Sequence, residues 1–354
     1  MSDSVQYRYY TAKDLRDWLF QSIDNGLSEQ IISKVRALAL LHHPDVKDDS
    51  ILVAVAFVNG EVAAYTAAFP ENLVRPALSG FSFGTTLYTY PQYDGRALGY
   101  CVSMYMKEAY DYKYMSLDST PTSTFIDQQL ESKIEYYSRY KYILKRHIKI
   151  KSLRSILGFF NEKRRIVIQK KQISILTNKM ACDDYKIEYT NFINEELYKF
   201  ITEQSREDLF LRSREALNWI LSDYFMISAP IIKRVQPHPF GGFQTMFRMF
   251  GVKVFYQNQL IGFYILRQKE HELALMYLYV LPEFKTKIYF SIAEHIFTLP
   301  IKTFTTFDEG FDQFFQSSQS YLKREIQKVS FTLPKDMELD FNLKLQGGDG
   351  DMMA

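Results

Sequence analysis

At 354 residues the chain is too long for one ordinary hydrophobic core, and about two domains are expected. A 47% hydrophobic share supports real cores, while a net charge of +2 gives no global field for nucleic acid or a membrane surface. The two cysteines, Cys101 and Cys182, lie far apart, which excludes a disulfide framework and fits a reducing, cytoplasmic setting.

In chain order, the N-terminal run MSDSVQYRYY lacks the charged-then-apolar pattern of a signal peptide. Gln6 to Thr11 reads as a strand, followed by a helix through Leu15, Trp18, Leu19 and Ile23. His42-His43-Pro44-Asp45 has metal-ligating residue types. Adjacent histidines on a loop diverge, however, and no third ligand is suggested, so a turn and no metal site are expected. Phe57 to Tyr65 reads as a hairpin around Asn59-Gly60, which also breaks the longest apolar stretch and leaves no membrane span. A strand ending at Leu87, Tyr88 and Thr89 then leads through Pro91 to Tyr100 into a helix over Cys101 to Ala109. Ser116-Leu117-Asp118 ends another strand ahead of a long helix, with Asp118 also placed to cap it before Pro121 and Thr122. From Arg139 to Lys171 stand twelve Lys or Arg and one acid, Glu162, a basic connector suited to a solvated linker or an acidic partner.

After this connector the pattern restarts. Tyr185 to Thr190 matches Gln6 to Thr11, and a helix through Leu197, Phe200 and Ile201 follows. Phe255 to Phe263 matches the Phe57 to Tyr65 hairpin, Leu278 to Lys287 matches Leu87 to Arg96, and Thr306-Phe307-Asp308 matches Ser116 to Asp118. Four correspondences in the same order predict a duplicated architecture. The expected division is a first domain at 1–150, a connector at 151–183 and a second domain at 184–354. The tail Gln346 to Asp351 is read as a closing turn, and Trp219 as core.

The order strand, helix, hairpin, strand, loop, helix, strand, helix resembles the GNAT acyltransferase superfamily in both halves, over most of the chain. The resemblance implies a mixed α/β fold of two tandem GNAT-like domains, each a twisted, mostly antiparallel sheet flanked by helices. In that family the loop after the fourth strand cradles the CoA pyrophosphate, since a helix N-terminus offers unpaired N–H donors and partial positive charge. Here the cofactor-binding positions so implied are Leu87, Tyr88, Thr89, Gly95, Arg96, Ala97, Leu98, Gly99 and Tyr100. Asp94 and Ala97 depart from the family's pattern: a carboxylate replaces a phosphate-friendly residue, and a methyl replaces hydrogen. The family's tyrosine, which protonates the departing thiolate from the last helix, is matched by Tyr137, with Lys141 in place of the pattern's glycine. Asp118 is the base candidate by position. The second half has no glycine in its loop and Ile326 in the place of Tyr137, so no second acyl-CoA site is expected.

The resemblance thus implies an acyl-CoA-dependent N-acyltransferase, most readily an acetyltransferase using acetyl-CoA. Its acceptor would be a small-molecule amine, such as an amino-sugar-like compound, lying in a groove between the domains. Two other readings fit the same residues. One is a Fem-type aminoacyl transferase that takes aminoacyl-tRNA, the single route by which nucleic acid would be a partner. The other is an inactive GNAT-like binding protein, with Asp94, Ala97 and Lys141 as marks of decay. The oligomeric state is not encoded in any pattern.

Overall fold

The alternating run Val5–Thr11 forms strand β1 and ends in a capping box. The Thr11 hydroxyl accepts from the Asp14 N–H, and the Asp14 carboxylate accepts from the Thr11 N–H, starting helix α1 (Ala12–Gln21). The computed structural model describes residues 3–73, 80–117, 121–130, 132–144, 185–222, 227–228, 243–244, 246–317, 321–335, 337 and 344–349. After α1 come α2 (Lys34–Leu41), β2 (Ile51–Val58), β3 (Glu61–Glu71), β4 (Phe81–Thr89), α3 (Leu98–Ala109), β5 (Tyr114–Leu117), α4 (Pro121–Gln129) and β6 (Lys133–Leu144). The chain then gives β7 (Tyr185–Thr190), α5 (Glu195–Gln204), α6 (Arg214–Leu221) and two short strands, β8 (Ile227–Ser228) and β9 (Phe243–Gln244). It continues with β10 (Phe247–Tyr256), β11 (Gln259–Lys269), β12 (Glu272–Val280), α7 (Lys285–Thr298), β13 (Thr303–Thr306), α8 (Glu309–Gln316) and β14 (Tyr321–Leu333).

The fold is mixed α/β with mostly antiparallel pairing, as the sequence implied. Both hairpins turn through left-handed dipeptides, Asn59-Gly60 at φ 52° and 85° and Gln257-Asn258 at φ 49° and 67°. Two positive φ values in a row match the right-handed twist of the flanking strands.

The chain sorts into two compact units that do not follow its two halves. Unit 1 comprises Met1–Tyr137, Glu207–Phe247 and Lys328–Ala354; unit 2 comprises Ser138–Arg206 and Arg248–Gln327. In unit 1 the strand order is β1-β2-β3-β4-β5-β14, antiparallel except for β4–β5. Unit 2 has the order β7-β10-β11-β12-β13-β6, where β12–β13 is the parallel pair. Each half therefore ends in a strand that completes the other half's sheet. The end of β14 pairs with β5 (Phe331 with Leu117), and β6 pairs with β13 (Phe304 with Tyr142).

That exchange corrects one expectation. Tyr137 was assigned to a helix, but it lies on β6, because Lys133 to Leu144 alternates aromatic and charged residues with the period of a strand. The last helix of the first half, α4, contains no tyrosine. The basic connector and Cys182 lie outside the described residues, apart from Arg139 and Lys141 on β6.

The two cores differ in texture. In unit 1, Leu98, Val102 and Met106 of α3, at helical spacing, pack on Ala54, Ala56, Ala63, Ala64 and Ala68. In unit 2, Ile288, Ile292 and Ile296 of α7 and Phe311 and Phe315 of α8 pack with Tyr142, Tyr264 and Phe304. Buried polar ties close each unit. In unit 1 the Asp127 carboxylate accepts from Lys107 Nζ at 2.9 Å and from Thr332 Oγ1 of β14 at 2.9 Å. In unit 2 the Asp312 carboxylate takes a two-pronged contact from Arg324 at 2.7 and 2.6 Å, plus the Tyr142 hydroxyl of β6. Among the described residues no helix is long and apolar enough to cross a membrane.

Candidate acyl-donor loop and polar centre of unit 1

Strand β4 carries a bulge: Thr86 pairs with Ala67 and Gly84 with Ala68, leaving Thr85 between them. Its parallel pairing with β5 covers Ser82–Tyr114 and Phe83–Met115. Beyond that point Leu87, Tyr88 and Thr89 pair with Thr66, Tyr65 and Ala64 of β3 on one edge. Among the described residues no strand pairs with their other edge, so the N–H and C=O groups there face the wedge where β4 and β5 part.

The chain leaves β4 through a short turn, Pro91–Tyr93, and reaches α3 across Asp94 to Ala97. Gly95 has φ 78°, a region open to glycine without penalty, and a Cβ there would meet nothing within 4 Å. Ala97 has φ 57° and is the N-cap of α3. The left-handed conformation costs an alanine about 1–2 kcal/mol, which explains why glycine would suit this place. No side chain caps α3, and its first turn carries no acid. The first helical bond is from Cys101 N–H to Ala97 C=O at 3.0 Å, so the N–H groups of Leu98, Gly99 and Tyr100 have no intrahelical acceptor. A Cβ on Gly99 would lie 2.9 Å from Thr89 Oγ1. Its lack of a side chain lets the start of α3 close on the end of β4.

Sequence reasoning assigned these positions together, and the structure brings Leu87–Thr89 and Gly95–Tyr100 into one strand–turn–helix corner. An arginine beside Asp94 could offset its charge. Instead the Arg96 guanidinium pairs with Asp3, with its carbon 5.8 Å from the Tyr93 ring centroid. Asp94 is exposed. Asp118 lies outside the described residues. The equivalent corner of unit 2 has no such turn: Lys285 follows Phe284 directly into α7, with helical torsions.

Tyr137 is half-buried on β6, with its ring edge-on to Phe331 at 6.2 Å. Its hydroxyl is buried without a hydrogen-bond partner. Burial, then the charges of Glu135 and Asp349, push its pKa up to about 12. The phenol is therefore fully protonated at neutral pH.

A polar centre that the sequence analysis did not assemble lies in the same unit. His43 and Glu71 are buried side by side, with His43 Nε2 3.7 Å from Glu71 Oε2, and Arg212 Nη1 donates to that oxygen at 2.5 Å. Burial raises the Glu71 carboxyl, but Arg212 and His43 more than offset it and hold the pKa below the usual value. Asp349, fully buried in the C-terminal turn, accepts from Gln346 N–H at 2.7 Å. Its pKa is raised well above the carboxylate range, first by burial and then by Asp208 and Glu71, with Arg212 opposing. His43 was read as part of a turn, and the Asp45 N–H does donate to His43 Nδ1 at 3.2 Å. Glu71, distant in sequence, joins the His43–Asp45 turn: among the described residues these three offer atoms within 4.8 Å of one another. Nothing near Glu71 or Arg212 in sequence signals this meeting, because they are 141 positions apart.

Comparison with known proteins places this geometry in context. No family profile matches the chain, and no curated protein matches it. Solved structures do. A tandem GNAT protein from the clavulanic acid biosynthesis pathway aligns over 95% of this chain and 100% of its own, at 10% identity and TM-score 0.49. An acetyltransferase assigned as such from Pyrococcus horikoshii aligns over 96% of this chain and 92% of its own, at 13% identity and TM-score 0.48. A GCN5-related N-acetyltransferase from Kribbella flavida aligns over 94% and 72%, at 12% identity and TM-score 0.46. The likeness is one of fold.

Proposed function

We propose that the protein is an acyl-CoA-dependent N-acyltransferase, with acetyl-CoA as the donor and a small-molecule amine as the acceptor. The observation that carries this reading is the corner between β4 and α3: a glycine-containing turn delivers an uncapped helix N-terminus beside a strand edge that has parted from its parallel neighbour. The Leu98–Tyr100 N–H groups suit the donor's pyrophosphate, with Gly95 and Ala97 keeping side-chain bulk small around the turn. N–H groups at Leu87–Thr89 suit the thioester carbonyl as it becomes an oxyanion. In the reaction the amine nitrogen bonds to the carbonyl carbon, the C–S bond breaks, and the thiolate takes a proton from Tyr137. The amine's own proton leaves to a carboxylate or water, with Asp118 the candidate by position. A phenol raised to about 12 is a weak acid for a thiolate whose conjugate acid lies near ~8.5, so the proton transfer from Tyr137 runs uphill.

Calorimetric titration with acetyl-CoA tests the reading. One site per chain, lost in Gly99→Trp, is the expected result, because a side chain there meets Thr89 and shuts the corner. No binding at millimolar acetyl-CoA would overturn it. Salt-dependent binding of tRNA would then favour aminoacyl transfer, and binding of neither a non-catalytic role.

A further inference from the structure

Within unit 2, helix α7 carries a polar row beside its apolar one. Ile288, Ile292 and Ile296 enter the core, while Ser291 and His295, four residues apart, share the neighbouring face. His295 is 4% exposed, and its Nδ1 lies 2.9 Å from the Ser291 C=O. A carbonyl only accepts, so the ring hydrogen is on Nδ1 and Nε2 keeps its lone pair. The Tyr264 hydroxyl of β11, 3.2 Å from Nδ1 and 2.8 Å from Ser291 Oγ, closes that side of the ring.

The free lone pair points to strand β7. Nε2 is 3.0 Å from the Tyr189 hydroxyl, so the phenol donates to it. Tyr189 stands opposite Val252 in the strand register and is 65% exposed. A reactive group reachable from water thus rests on a buried base, which a third group holds in one tautomer. Covalent catalysis uses the same arrangement at the same distances.

The groups facing the imidazole are Tyr189 of β7, Arg248 of β10 and Tyr264 of β11, with Glu294 beside it on α7. Among the described residues no carboxylate bonds to the ring. Burial lowers the His295 pKa from its ordinary value; the Ser291 carbonyl opposes this, and the Arg248 charge adds to it. The ring is therefore neutral at pH 7 and able to take a proton.

We infer that Tyr189 is an acyl-accepting nucleophile, with His295 as its base, toward activated acyl esters. The phenol oxygen bonds to the ester's carbonyl carbon, and its proton passes to His295 Nε2. The bond from that carbon to the leaving oxygen breaks, and the imidazolium then gives its proton to water. Transfer runs downhill from any ester whose leaving group is a stronger acid than a phenol of pKa ~10. This chemistry uses no group of the β4–α3 corner.

The probe is p-nitrophenyl acetate, added without acyl-CoA, and peptide mass spectrometry reads the acetyl group on each tyrosine. The internal control is Tyr112, 53% exposed and with no histidine bonded to it among the described residues. Tyr189 should be acetylated about a hundredfold faster than Tyr112. Its rate should stay level between about pH 7 and 9, because the base is already free, while that of Tyr112 rises about tenfold per pH unit. His295→Gln should bring Tyr189 down to the Tyr112 rate, with circular dichroism and melting showing that the variant is folded. If that variant does not fold, the pH profile of the unaltered protein decides. Equal rates at the two tyrosines, a Tyr189 rate that climbs with pH as that of Tyr112 does, or an unchanged rate in folded His295→Gln would overturn the inference.

Discussion

The corners after β4 and after β12 start from the same kind of sequence and end differently. Each follows a strand that has a one-residue bulge and a short parallel pairing, and each opens with a proline-led turn. In unit 2 the chain winds at once into α7: the Lys285 N–H bonds back to Pro282 and its torsions are already helical, although α7 has no side-chain cap either. In unit 1 the residues Asp94 to Ala97 stand off, two of them left-handed, and α3 begins late with its first N–H groups uncapped. Glycine at 95 and 99 makes the difference: one accepts the turn, the other lets helix and strand close. The corner of unit 1 is thus built by delaying a helix, and unit 2 shows the same frame without the delay.

The largest effect should come from the polar ties that close each unit around its borrowed strand. Asp312→Ala leaves Arg324 and the Tyr142 hydroxyl without their carboxylate, and about 3–5 kcal/mol of stability should be lost in a denaturant melt. Asp127→Ala should cost a similar amount through Lys107 and Thr332. If either variant melts like the wild type, strand exchange is not what holds that unit.

Asp349 should give the next effect, and its sign is opposite to that of an ordinary paired carboxylate. Its folded pKa lies above the unfolded value, so the folded state holds the extra proton between the two. Stability should therefore fall as pH rises from about 4, by up to ~1.4 kcal/mol per pH unit until the folded pKa is reached. Asp349→Asn should flatten that slope, and melting across pH checks it.

Within the unit 1 corner, Gly95→Ala should cost about 1–2 kcal/mol from its left-handed φ alone, since a methyl there meets no atom. The converse change, Ala97→Gly, should have the smallest effect, a gain of roughly 0.5–1 kcal/mol as strain is released and chain entropy partly offsets it. It should also preserve or tighten acetyl-CoA binding. A loss of stability in Ala97→Gly would mean that the turn does not hold residue 97 left-handed.

Much of this molecule was written locally. Period-two alternation gave the strands, Asn59-Gly60 gave the hairpin, and the ordered repeats gave the duplicated α/β architecture, because these depend on residues a few positions apart. The strand–turn–helix corner was legible for the same reason. Tyr137 was misplaced on a helix, although its own segment alternates like a strand, because the assignment followed a family pattern and not the local period. The strand exchange and the polar centre of His43, Glu71, Arg212 and Asp349 were decided by tertiary structure alone. Their residues lie up to 306 positions apart, between His43 and Asp349, and carry no shared pattern. Only the packing of separate segments into unit 1 brings those charges out of water and against one another.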